Sequence, residues 1–158
     1  MTIMSRNGDT KMPISRSNEL LVWMELAKEE LGINEIPGPV NNERILEYHQ
    51  ATTLKATDDE TAWCSAFVCW VLETCGMKST RSAAARSYLN WGFKAQGYPY
   101  GAVCVLRRGK AWQGHVGFIV GDSINEVSLL SGNQNDSVSI VRYKKELVLD
   151  VRWPYRIP

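Results

Sequence analysis

The chain has 158 residues, 44% of them hydrophobic and 22% charged, values that suit one domain with an ordinary buried core. Its formal net charge is +1, so the charge balance gives no reason to expect nucleic acid or an acidic membrane as a partner. No apolar run approaches the roughly 18 residues needed to span a bilayer, Ala66–Leu72 being the longest clear one.

Residues 1–16 are polar and mixed and read as a flexible tail, leaving 17–158 as a single domain. Ser17 is positioned to cap a helix running to about Leu31, with Leu20, Met24, Ala27 and Leu31 on one stripe and Gly32 as its stop. After the rigid break Pro37-Gly38-Pro39, Asn42 caps a second helix over roughly 43–51, with Ile45, Leu46 and His49 inward. A third helix follows the acidic run Asp58-Asp59-Glu60, one of whose aspartates is the expected cap, and ends at Gly76. Its apolar stripe (Trp63, Ala66, Phe67, Trp70, Val71) is widened by Val68 and Leu72, which predicts a nearly buried central helix. A short fourth helix covers Ala83–Trp91. From there on five strand-like runs alternate with turn residues: Gly101–Arg107, His115–Val120, Val127–Ser131, Val138–Tyr143 and Leu147–Trp153. Helices first and then a strand meander describe an α+β domain, an antiparallel sheet packed on the central helix.

Three segments carry the chemistry: Trp63-Cys64-Ser65-Ala66-Phe67-Val68, Gly114-His115-Val116-Gly117-Phe118 and Ser131-Gly132-Asn133-Gln134. A cysteine at a helix start sits among free N–H groups, which lower a thiol pKa and can hold the oxyanion of acyl transfer, with Ser65 adjoining. The chain has two histidines, so the choice of base is nearly forced onto His115. A hairpin centred on Ile124 pairs residue i with 248 − i, which sets His115 opposite Asn133. An amide oxygen there fixes the tautomer of the imidazole and aims its other nitrogen at the thiol, the Cys-His-Asn logic of nucleophilic catalysis. Gln134 is second choice, because strand alternation turns it to the other face, and Ser131 supports from behind. Gly114 and Gly117 read as leaving open space around the ring, and with Trp63 and Trp91 they are candidates for a substrate groove. Tyr48 is a core or groove-wall aromatic, and His49 is core or helix surface. The turn Arg107-Arg108-Gly109-Lys110 is solvated or meets an anionic substrate group.

Cys64, Cys69, Cys75 and Cys104 make no disulfide framework, and with no CxxC spacing or paired histidine no metal site is expected. The N-terminus shows no secretory signal, which implies synthesis in a cytoplasm and another route for any action outside it.

Taken in order, the three segments resemble the NlpC/P60 superfamily, and most closely its CHAP-type branch, found in phage endolysins and bacterial cell-wall amidase effectors. The resemblance covers roughly residues 57–145. It implies a papain-like fold with the cysteine-bearing helix on a five-stranded antiparallel sheet, Cys64 as nucleophile, His115 as base and Asn133 as the orienting third residue. It also implies cleavage of amide bonds in the peptide part of peptidoglycan, by endopeptidase or muramoyl-alanine amidase action, with no cofactor. Two departures leave the bond open: Ser131 stands where many CHAP members have glutamate, and Trp63 where many NlpC/P60 members have aspartate. An endolysin would be released by a holin; a secreted effector would have a cognate immunity protein. Alternatives are a thiol protease or acyltransferase on a protein substrate, and a non-catalytic wall-binding module.

Overall fold

A computed structural model describes residues 21–154. The expected tail and the Ser17 cap lie outside them. Helix α1 spans Val22–Glu29, with Met24 and Ala27 buried and Leu31 left half in solvent. Helix α2, Glu43–Gln50, starts as expected at Asn42, whose Oδ1 accepts from Arg44 N–H at 2.8 Å. Ile45 and His49 face inward together with Tyr48, while Leu46 is half-buried. Helix α3, Cys64–Thr74, is the central one: of its 11 residues all but Trp70, Glu73 and Thr74 are buried. Residues Ala85–Asn90, expected as an α-helix, form a 3-10 segment.

Six strands form one antiparallel sheet, one more than expected: β1 Phe93–Lys94, β2 Val103–Arg107, β3 Gly114–Asp122, β4 Glu126–Gln134, β5 Ser137–Lys144 and β6 Val148–Trp153. Their spatial order is β1-β6-β2-β3-β4-β5. The added strand is two residues long, too short to show alternation in a sequence. It exists because Gly92, at φ +62°, brings the backbone so near β6 that a Cβ there would lie 2.3 Å from the Trp153 carbonyl oxygen.

Helix α3 packs across β3 and β4, its Phe67 ring 6.4 Å from Phe118. Tyr48 of α2 closes the other side, 5.2 Å from Phe67 and stacked 5.7 Å from Trp63. Burial of these aromatics, each removing some 150–250 Å² from water, is the main force holding the helix on the sheet. The tyrosine hydroxyl is not abandoned in this core: it donates to Glu30 Oε1 at 2.6 Å.

No described helix is long and apolar enough to cross a membrane.

Candidate active site

Cys64 is the first residue of α3, and neither Asp58 nor Asp59 caps that helix. Asp58 Oδ1 accepts instead from the N–H groups of Glu60 and Thr61, and Asp59 Oδ2 from those of Ile36 and Asn42, fastening the loop ahead of α2. Trp63 occupies the cap position and offers no side-chain bond, so the first N–H groups of the helix remain unclaimed by a cap. Those of Cys64 and Ser65 lie beside the Cys64 sulfur, as does Val116 N–H from β3. The thiol is only 6% exposed, and burial pushes its pKa up against the opposing pull of these donors and of Arg108. The expected lowering by the helix start is outweighed; the resting sulfur is a thiol.

The identity of the imidazole partner corrects the sequence expectation. His115 Nε2 lies 2.8 Å from Gln134 Oε1, not against Asn133. Near the site the β3–β4 register is the expected one, with Phe118 opposite Leu130 and Ile119 opposite Leu129. The ladder does not extend to a His115–Asn133 pair. In the β4–β5 ladder Ser131 faces Ser139 but Gln134 faces Ser137, so β4 carries one extra residue. Asn133 absorbs it at φ +59°, in the left-handed region that asparagine tolerates better than most residues. Ser139 and Ser137 are two apart and share a face, and so do their partners Ser131 and Gln134. The bulge therefore turns Gln134 onto the side of His115.

The amide orientation of Gln134 is fixed by its surroundings. Its Nε2 donates to Ser139 O at 2.7 Å, which leaves Oε1 to accept from His115 and, at 2.8 Å, from the Tyr143 hydroxyl. An amide oxygen only accepts, so the imidazole proton sits on Nε2 and Nδ1 presents a lone pair. Nδ1 is buried and has no hydrogen-bond partner among the described residues. Burial holds His115 down to about 4; the Gln134 bond opposes this and the Arg108 charge adds to it. Tyr143, whose ring lies 5.4 Å from His115, was missed in the sequence because nothing marks one tyrosine on a distant strand.

The remaining candidates are scaffolding. Ser65 Oγ donates to Ser82 O at 2.7 Å and Ser131 Oγ to Val116 O at 2.6 Å, the latter fixing the strand just past His115. Gly114 and Gly117 do not open space around the ring. A Cβ on Gly117 would lie 2.7 Å from Ser131 Cβ, and one on Gly114 3.0 Å from Leu106 O. Both are places of close strand approach. Trp63 is fully buried, its Nε1 donating to Glu35 Oε2 at 2.8 Å, and Trp91 donates to Lys78 O at 2.9 Å. Neither lines the cavity at His115. Gly132 explains the tryptophan before the cysteine: a Cβ there would come 2.4 Å from the Trp63 ring. That contact locks the start of α3 onto β4 two residues before Gln134. His49 is buried beside Asp58, with its pKa lowered by burial.

A cavity of about 480 Å³ opens over His115 and Gln134, between the apolar side chains of Leu106, Val141 and Leu147 and the basic turn at Arg107 and Arg108. Cys64 is not among its walls. A larger surface depression, about 700 Å³ around Ile124 and Lys145, lies at the far end of the β3–β4 hairpin and shares none of these residues.

A buried cysteine opening the central helix, with a histidine and an amide on the antiparallel sheet beneath it, is the residue set of a thiol hydrolase. The CHAP domain profile matches residues 56–135, half of the chain and the stretch that holds Cys64, His115 and Gln134. The chain belongs to that family, whose members are generally cysteine- and histidine-dependent peptidoglycan hydrolases. No curated protein matches it.

Proposed function

We propose that the protein is a cysteine hydrolase that cuts amide bonds in the peptide part of bacterial peptidoglycan, with Cys64 as nucleophile, His115 as general base and Gln134 as the orienting residue. The observation that carries this is the forced tautomer: Gln134 holds Nε2–H and leaves the unpartnered Nδ1 as the only basic atom of the imidazole. The helix-on-sheet arrangement supports a papain-like reading of the fold.

The resting pair is neutral, since burial disfavours both thiolate and imidazolium. Proton transfer from Cys64 to Nδ1 therefore accompanies attack on the carbonyl carbon rather than preceding it. The tetrahedral oxyanion is held by the uncapped N–H groups at the start of α3. The imidazolium then protonates the leaving amine as the C–N bond breaks. Water, deprotonated by Nδ1, hydrolyses the thioester and restores the thiol. Gln134 Oε1 accepts from Nε2–H throughout, and that bond strengthens when the ring is charged.

Action at the wall, after holin release or delivery by a secretion system, belongs to the same proposal. The test is a digest of purified peptidoglycan by the protein, with products identified by mass spectrometry in water and with an added amine acceptor. Fragments with new free amine and carboxyl termini are expected. Products formed only by transfer to the amine, or cleavage of protein substrates alone, would replace this reading with the acyltransferase or protease alternative.

A further inference from the structure

We infer that Arg108 forms a carboxylate-binding subsite beside the reacting centre, so that the preferred substrate is a peptide carrying a free carboxylate close to the bond that is cut. This rests on the hydrolase reading above and specifies the substrate of the same site.

Arg107, Arg108 and Gly109 wall the same cavity as His115, Gln134 and Tyr143. None of the cavity walls is Asp or Glu, so a guanidinium there faces no fixed negative charge within the cavity. Arg107 and Arg108 make no ion pair or side-chain hydrogen bond among the described residues. Arg108 nonetheless sits close enough for its charge to act on Cys64, His115 and Tyr143. A structural arginine is ordinarily matched by a carboxylate or a carbonyl, as Arg44 is by Glu30 and Arg152 by Asp150 in this fold.

The turn that presents it is built rather than loose. Gly109 takes φ +57°, Gln113 Oε1 accepts from Lys110 N–H at 2.8 Å, and Gln113 O accepts from Arg86 Nε at 2.6 Å. An unpaired guanidinium at the mouth of a partly apolar cavity suits the planar, two-oxygen geometry of a carboxylate. Its cost in the empty enzyme is repulsion of the imidazolium at His115. A bound carboxylate cancels that repulsion when the proton arrives, so the subsite raises turnover as well as affinity.

The experiment compares soluble peptidoglycan fragments with their carboxylates free and with the same carboxylates amidated. Binding is read by calorimetry on Cys64→Ala and on Cys64→Ala with Arg108→Gln, and turnover on the proteins that retain Cys64. The acid form is expected to bind about tenfold to a hundredfold more tightly, the size of one charge-assisted contact, and Arg108→Gln should bring that ratio near one. Arg108→Lys should restore part of it. Arg108 is exposed, so these changes leave the core untouched. Equal binding of acid and amide, or a ratio that survives Arg108→Gln, overturns the subsite even if both fragments are cleaved. Arg108-dependent preference for the acid without any cleavage supports the subsite and removes the hydrolase.

Discussion

Replacing Gln134 with alanine removes one oxygen that two donors share, and the size of the effect follows from how deeply they are buried. His115 is 2% exposed and the Tyr143 hydroxyl points at the same Oε1, so the truncation strands both. A buried donor left without a partner costs about 1–3 kcal/mol, so the pair is worth about 2–6 kcal/mol of stability at most, the half-buried Tyr143 hydroxyl being free to turn to the cavity. A domain of this size has about 5–15 kcal/mol in hand, so over most of that range the variant stays folded at 25 °C. Its imidazole, however, no longer has a reason to keep the proton on Nε2. The expected fall in kcat/KM is roughly 10²-fold or more, the range in which an orienting residue acts. Asn133→Ala is the matched control. It places alanine at φ +59°, which costs about 1–2 kcal/mol of stability, but it leaves the Gln134 bond intact, so activity should stay within about threefold. The assay is release of amine termini from peptidoglycan fragments, at protein concentrations corrected for the folded fraction from a urea titration. A folded Gln134→Ala with full activity, beside an inactive Asn133→Ala, would refute the assignment and return the role to Asn133.

Three further outcomes are expected. Because His115 is held down to about 4, the acid limb of kcat/KM should lie near pH 4 and not near the usual histidine value of about 6.5. The same depression makes the folded state lose stability as pH falls from about 6.5 through 4, by about 3 kcal/mol for this group, which denaturant titrations at stepped pH would read; an acid limb at 6.5 or above contradicts it. Tyr143→Phe gives Gln134 Oε1 wholly to the imidazole, so the acid limb should move upward while stability drops by about 0.5–1.5 kcal/mol; an unmoved limb would show that the two donors do not compete. Gly132→Ala forces a methyl group into the Trp63 ring, and overpacking of this kind costs about 1–3 kcal/mol. Because the displaced element carries Cys64, kcat should fall with it, and a variant of unchanged melting temperature and kcat would deny the interlock.

Helix α3 was legible because its apolar positions exceed one stripe, a pattern that leaves a helix no exposed side. The β3–β4 register was legible only in part: Gly121–Ser128 and Asp122–Val127 lie one residue off the pairing expected from a turn at Ile124, and the bulge between Ile119 and Gly121 restores that pairing at Phe118–Leu130. The third member of the site was not, because strand alternation assumes an unbroken ladder and one inserted residue at Asn133 reverses it. The signal was present in retrospect. Asn135 and Asp136 both take positive φ and form the tight turn into β5, which sets Gln134 opposite Ser137 and leaves Asn133 as the surplus. The glycines beside His115 were misread for a related reason: a missing side chain admits a neighbouring strand as readily as a ligand, and only the packed sheet decides between them. Thiol acidity failed differently. Helix position predicts the direction of one effect, while burial, which needs the whole fold, sets the larger one.

Amine release from purified peptidoglycan by wild type and by Cys64→Ala, run side by side, tests the proposed chemistry most directly. New amine termini should accumulate with wild type and stay at background with the variant, since Cys64 is the proposed nucleophile and its sulfur lies beside the N–H groups of Ser65 and Val116. Release by Cys64→Ala at the wild-type rate would contradict nucleophilic catalysis by this thiol.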